Sequence, residues 1–99
     1  MKKPKFLTGG QAAVKSLKKE KVKHVFGLIG SATMEMFDAL YHEKKINFIG
    51  VRDERSGTHM ADGYARASNQ PGVILAGQNG PGATNLVTGL AQAKAAFSP

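Results

Sequence analysis

A glutamate at the predicted start of a helix is the strongest candidate for chemistry in this sequence. Glu54 opens a segment over residues 54–68 in which Gly57, Ala61 and Tyr64 fall on one helical stripe. This small, apolar stripe is expected to face a sheet, so Glu54 would lie at a helix N-terminus and partly out of water. The helix dipole favours an anion at that position. A carboxylate placed in this way is suited to moving protons.

The same residue also fits a purely structural role. Asp53 or Glu54 could cap the helix, because short acidic side chains accept hydrogen bonds from the first free backbone N–H groups. Either carboxylate could instead pair with Arg52 or Arg55. From the residues alone, both interpretations stay open.

A glycine-rich stretch over residues 77–82 is the second candidate. A glycine-rich turn between a strand and a helix can bind phosphate on backbone amides. The match to the dinucleotide-binding fingerprint is weak, since Asn85 stands where the third glycine is needed and Pro81 lacks an amide N–H. The glycines are also explained if they only make the turn tight. Asn85, one turn inside the following helix, could offer its side-chain amide to the edge of a heterocycle.

Alternating helices and strands would position these residues. We predict helices and strands in the order α-β-α-β-α-β-α: a helix over 9–20, a strand over 24–30, a helix capped by Ser31 or Thr33, a strand over 46–51, a helix over 54–68, a strand over 73–76 and, after the glycine-rich loop, a helix over 83–97. Apolar strands that alternate with helices predict an α/β fold, in which a parallel sheet carries helices on both faces. Ligand sites in such sheets form at the carboxyl ends of the strands. The segments at 27–31, 52–54 and 77–82 all fall there.

Composition excludes several classes of protein. A chain of 99 residues allows one domain, and a hydrophobic fraction of 41% is ordinary for a folded one. The absence of cysteine excludes disulfides and thiolate metal sites, and the three histidines share no metal-ligand spacing. No apolar run approaches the roughly 20 residues that span a bilayer, and the first ten residues do not read as a signal peptide. We therefore expect a cytoplasmic protein that does not enter a membrane.

The net charge of +7 is unevenly distributed. Only one acid, Glu20, accompanies the lysines of the first quarter of the chain, which are Lys2, Lys3, Lys5, Lys15, Lys18, Lys19, Lys21 and Lys23. Such a cluster could bind nucleic acid or another anion. A solvated helix face is the plainer interpretation, because no aromatic residue is interleaved for base stacking. After Asp62 there is no acid at all, and the only cations are Arg66 and Lys94, so we expect this half to be buried against a partner.

Three segments resemble the N-terminal pyrimidine-binding domain of thiamine-diphosphate-dependent enzymes, in the group of acetolactate synthases and pyruvate-type decarboxylases. They read V-F-G-L-I-G at 25–30, D-E-R at 53–55 leading into M-A-D-G-Y-A-R at 60–66, and G-Q-N-G-P-G-A-T-N at 77–85. The resemblance runs across nearly the whole chain, and A-D-G-Y-A-R and G-P-G-A-T-N are its most specific parts. Within the group, Gln78-Asn79 and I-G-S-A at 29–32 are most similar to sulfoacetaldehyde acetyltransferases.

The resemblance implies specific roles. Glu54 matches the family glutamate that hydrogen-bonds a ring nitrogen of the cofactor's aminopyrimidine and thereby helps to remove the thiazolium proton. The cofactor-binding residues that it implies are Ile29, Gly30, Glu54, Gln78, Pro81 and Asn85. Ile29 departs from the family, which usually has Pro-Gly in this loop.

Members of this family are several times longer than 99 residues, hold the cofactor's diphosphate through Mg²⁺ on a second domain, and form their sites between subunits. The resemblance therefore implies that residues 1–99 are the N-terminal, incomplete part of a pyrimidine-binding domain, with a truncated three-stranded sheet. It also implies a homo-oligomer, or a partner chain that carries the diphosphate-binding domain. The whole enzyme would be a lyase or transferase acting on a small-molecule substrate, a 2-keto acid or sulfoacetaldehyde. We expect the 99-residue chain alone to be inactive.

Overall fold

A computed structural model describes residues 6–99, and its centre is a sheet of three parallel strands. The strands are β1 (His24–Gly27), β2 (Asn47–Gly50) and β3 (Ile74–Leu75), in the order β2-β1-β3. The register pairs His24 with Asn47 and Gly27 with Gly50 on one side of β1, and Phe26 with Ile74 on the other. The predicted parallel α/β fold is therefore confirmed.

The helices are α1 (Gly9–Lys19), α2 (Met34–His42), α3 (Glu54–Ser68), α4 (Asn79–Thr84) and α5 (Val87–Ala95), with a 3-10 turn at Ser31–Thr33 before α2. The start of α1 follows from its sequence. The Thr8 hydroxyl accepts a hydrogen bond from the backbone N–H of Gln11 at 3.2 Å, and the Gln11 side chain accepts one from the N–H of Thr8 at 3.0 Å. This reciprocal pair satisfies two backbone donors that a helix start leaves free.

Helices α1 and α2 cover one face of the sheet. The core there is made of Val14, Val25, Phe37, Leu40 and Ile46, all buried. Phe37 meets Phe48 of β2 edge to face, with 5.4 Å between ring centroids. Burying an aliphatic or aromatic side chain of this size contributes about 1.5–3 kcal/mol, so this cluster is the main source of stability on that face.

Helix α3 covers the other face, and α5 packs on α3. Gly57 allows the close approach of α3 to the sheet, because a Cβ there would lie 3.1 Å from Cγ2 of Val51 and would collide with the side chain of Ile74. Phe26 and Tyr64 meet edge to face at 6.2 Å. The sheet thus has helices on both faces, as predicted.

The glycine-rich stretch over 77–82 differs from the predicted loop. Helix α4 begins inside it, at Asn79, and Pro81 is its third residue. Proline is tolerated in a first helical turn, since the N–H groups there have no partner within the helix. The long helix predicted over 83–97 is consequently divided, with α4 ending at Thr84 and α5 beginning at Val87.

Helices α2 and α5 both leave large apolar residues exposed. Val87, Leu90 and Phe97 are 62%, 51% and 93% exposed, and the residue of α5 that is buried against α3 is Gly89. On α2, Phe37 and Leu40 are buried, whereas Met34 and Tyr41 are exposed. Lys2, Lys3 and Lys5 of the basic cluster lie outside the described residues.

Candidate functional site

The structural roles that Glu54 could have filled belong to its neighbour Asp53. Asp53 is the N-cap of α3, and its Oδ1 accepts a hydrogen bond from the backbone N–H of Arg55 at 2.8 Å. Its Oδ2 pairs with Nη2 of Arg55, also at 2.8 Å. Hydrogen bonds from the side chain and backbone of Arg55 lower the pKa of Asp53 to about 2. Capping and ion pairing are therefore complete without Glu54.

Glu54 is the first residue of α3, and it is buried, with 6% of its surface exposed. Within residues 6–99 its carboxylate forms no ion pair. Its one side-chain hydrogen bond there is to Asn85, whose Nδ2 donates to Oε2 at 3.2 Å. Burial of a carboxylate without a cation is costly, so a buried, largely unpartnered Glu54 at the end of a parallel sheet is a candidate for a functional group.

Three glycines bring the loops around Glu54 into backbone contact. A Cβ on Gly77 would lie 3.4 Å from Oε1 of Glu54, and a Cβ on Gly30 would lie 2.7 Å from Cα of Gly77. A Cβ on Gly82 would lie 2.8 Å from the carbonyl carbon of Gly77. Side chains at Gly30 and Gly82 would force the loops apart, so these glycines serve close packing of the loops that follow β1 and β3.

Polar contacts tie the same loops together. The side-chain oxygen of Gln78 accepts a hydrogen bond from the backbone N–H of Ala32, which joins the loop after β3 to the loop after β1. The carbonyl of Pro81 accepts a hydrogen bond from the backbone N–H of Asn85 at 2.9 Å. Asn85 is thereby held at the C-cap of α4 with its amide directed to Glu54.

The structure brings most of the predicted site residues together. Glu54 and Asn85 are in direct contact. Gly30 packs on the backbone of Gly77, and Gln78 accepts a hydrogen bond from Ala32. Pro81 is linked to the cluster because its carbonyl accepts a hydrogen bond from Asn85. Ile29 stands apart, because its side chain is 58% exposed and no described contact links it to Glu54. Gly77 is a further member of the cluster; the sequence placed it in the candidate stretch over 77–82 but not among the cofactor-binding residues.

The cluster offers both kinds of hydrogen-bonding group to a heterocycle. Oε1 of Glu54 is an acceptor, and the Asn85 amide has a second N–H besides the one given to Glu54. A nitrogen heterocycle with neighbouring donor and acceptor atoms is chemically complementary to this pair. The donor set therefore fits an aminopyrimidine.

Fold and site together define a parallel α/β domain with a buried carboxylate at the carboxyl ends of its strands. Residues 7–99 match the family described as "Thiamine pyrophosphate enzyme, N-terminal TPP binding domain". The chain belongs to this family.

Among its relatives are a probable acetolactate synthase large subunit from Methanococcus aeolicus, 47% identical over 93 residues, and an acetolactate synthase large subunit from Cyanidium caldarium, 51% identical over 90 residues. The mitochondrial catalytic subunit of acetolactate synthase from Saccharomyces cerevisiae is 46% identical over 87 residues. These alignments cover 94%, 88% and 88% of the chain, but only 15%, 15% and 12% of the relatives.

Within residues 6–99, no helix is both long enough and apolar enough to cross a membrane.

Proposed function

We propose that this chain binds the aminopyrimidine of thiamine diphosphate and that Glu54 is the residue that activates the cofactor. The observation that carries the proposal is the Glu54 carboxylate, which is buried at 6% exposure, held by Asn85 and free of any ion pair within residues 6–99. Because Asp53 caps the helix and neutralises Arg55, Glu54 remains available to a ligand.

The roles of the surrounding residues follow from their contacts. The carboxylate of Glu54 would hold a proton for a ring nitrogen of the bound cofactor, and Asn85 orients that carboxylate through its hydrogen bond. Gly30, Gly77 and Gln78 keep the loops close enough to exclude water from it. Thiamine diphosphate, when bound, supplies an electron sink for reactions of 2-keto acids. We propose that Mg²⁺ and the diphosphate bind to a second domain or to a partner chain. We also propose that residues 1–99 are part of the pyrimidine-binding domain.

For the whole protein we propose the reaction class of the relatives, which are named acetolactate synthases. The sequence over 29–32 and at Gln78-Asn79 keeps sulfoacetaldehyde acetyltransferase as the second candidate. Turnover of pyruvate against sulfoacetaldehyde by the longer protein separates the two.

A chimera tests the role of Glu54. The 93 aligned residues of the Methanococcus aeolicus relative would be replaced by those of this chain. We expect the chimera to turn over pyruvate with thiamine diphosphate and Mg²⁺. Glu54→Gln should lower its activity by about 10²–10⁴-fold, the usual contribution of a general acid–base group, because an amide of the same shape cannot share a proton with the ring nitrogen.

The matched control is Glu35→Gln, since Glu35 is an exposed glutamate in the first turn of α2. Exchange of the cofactor's thiazolium proton and the melting temperature would be measured in both variants. Unchanged exchange together with a lowered melting temperature in Glu54→Gln would assign Glu54 a structural role only. An inactive parent chimera would also count against the proposal.

A further inference from the structure

A second concave surface lies away from Glu54, along α2 and the edge strand β2. It is a groove of about 790 Å³. Glu54, Gly77, Gln78 and Asn85 do not line it, and the one predicted site residue that does is Ile29. Nothing in the proposed function uses this surface.

The wall of the groove is apolar and elongated. Its accessible apolar residues are Ile29 and Tyr41, which are exposed, and Phe48, which is partly buried; beneath them lie the buried core residues Phe37, Leu40 and Ile46. Its lining reaches from His24, the first residue of β1, to Ile29, just past the end of that strand. At the usual rise of a strand this span is roughly 15 Å, so the groove suits an extended chain better than a compact ring.

Positive charge surrounds this apolar wall. Lys23, Lys44 and Lys45 line the groove, and the one acid that does so is Glu43. Glu43 is already committed, because its Oε2 pairs with Lys18 at 3.0 Å and its Oε1 accepts a hydrogen bond from the backbone N–H of Lys45 at 2.9 Å. These contacts lower the pKa of Glu43.

The lysines that line the groove are therefore available to an anion. Lys23, Lys44 and Lys45 form no ion pair within the described part of the chain. A ligand that matches both the apolar wall and the lysines must combine an apolar body with an anionic end. A purely polar anion would leave the aromatic wall in contact with water. A neutral hydrocarbon would leave the lysines without an anionic partner.

We propose that the groove binds an amphipathic monoanion, with a carboxylate or phosphate head group near Lys44 and Lys45 and an extended apolar chain along Tyr41 and Phe48. Binding would be independent of thiamine diphosphate. The hydrophobic part supplies most of the affinity, and the lysines select the sign of the head group.

The probe for this site is 11-(dansylamino)undecanoic acid, whose fluorescence rises when it enters an apolar environment. We expect saturable binding to the chimera in which this chain replaces the aligned residues of the Methanococcus aeolicus relative, and displacement by dodecanoate. Shorter carboxylates should compete about fourfold more weakly for each methylene removed. Dodecyltrimethylammonium, which has the same chain length and the opposite charge, should displace the probe at least tenfold less well.

A pair of charge reversals separates the groove from general surface charge. Lys45→Glu should weaken probe binding about tenfold. Lys94→Glu changes the net charge by the same amount at an exposed residue of α5 outside the groove, and it should leave the affinity unchanged. Circular dichroism of both variants verifies that the fold is retained.

Three results would overturn the proposal: no saturable binding of the probe, equal weakening by Lys45→Glu and Lys94→Glu, or equal competition by the cationic detergent. Binding to phosphatidylglycerol vesicles without displacement by free dodecanoate would identify a membrane-binding surface instead. Displacement of the probe by a random oligonucleotide, with a steep dependence on salt, would identify a nucleic-acid surface.

Discussion

At the scale of single residues, two adjacent acids divide the work between them. Asp53 caps α3 and holds Arg55, whereas Glu54 is turned into the fold and meets Asn85. The sequence predicted that Glu54 lies at the head of this helix, and it left open whether Asp53 or Glu54 caps it. It could not predict the contact with Asn85, because that residue is 31 positions away and is placed by the packing of the loop after β3.

The pairing of Asp53 with Arg55 predicts a pH dependence of stability. The pKa of Asp53 in the folded chain is about 2, below its ordinary value of 3.8. The folded state therefore favours the ionised form, and the resulting stability is fully present above about pH 4 and is lost as the pH falls through 2. Asn at this position keeps the cap and removes the charge, so Asp53→Asn should lower the melting temperature slightly at pH 7.

The difference in melting temperature between Asp53→Asn and the parent chain should shrink as the pH falls from 4 to 2. Thermal unfolding at each pH measures this difference. Arg55→Gln should remove the same pH dependence, because it deletes the partner that lowers the pKa of Asp53. A difference in melting temperature that persists at pH 2 would contradict this origin.

At the scale of elements, local signals determined some boundaries and tertiary contacts determined others. Helix α3 extends over Glu54–Ser68 as predicted, since Asp53 caps its start and Asn69 ends it in the left-handed conformation, with φ of 57°. The start of α4 was not predictable in this way. Residues 79–82 read as a turn by composition, and they become helical where Gly82 packs on the backbone of Gly77.

The contact between α5 and α3 is made by a glycine rather than by large apolar side chains. Gly89 is buried against Thr58 of α3, and a Cβ there would collide with the Thr58 side chain. Alanine normally favours a helix over glycine by about 1 kcal/mol. At Gly89 the collision should outweigh this gain, so Gly89→Ala should destabilise the chain by about 1–2 kcal/mol.

The matched control is Gly63→Ala on the exposed side of α3, where a Cβ would meet nothing within 4 Å. This substitution should stabilise the chain by about 0.5–1 kcal/mol. Urea unfolding gives both values. Equal effects of the two substitutions would show that α3 and α5 are not held as closely as the structure indicates.

At the scale of the whole molecule, the two faces differ in charge and in what they leave uncovered. The outer edges of β2 and β3 have no strand partner within residues 6–99. On the side of α5 the chain beyond Asp62 carries only Arg66 and Lys94, and Val87, Leu90 and Phe97 are exposed there. The scarcity of charge could be predicted from the sequence. The sequence could not predict which apolar residues remain exposed, because this depends on Gly89 facing α3.

This surface predicts that the isolated chain associates, or is only marginally stable, because contiguous exposed apolar area favours a partner. Val87→Lys places a charge on this surface without touching the core, so it should shift the chain towards monomer in sedimentation velocity runs and leave the melting temperature of dilute samples nearly unchanged. Met34→Lys introduces the same charge at a residue of α2 that is 59% exposed, on the opposite face of the sheet. It should leave the association as it is. If both substitutions release monomer equally, net charge rather than the α5 surface controls association. If the parent chain is itself a monodisperse monomer with a sharp cooperative melt, the prediction of association or marginal stability is wrong.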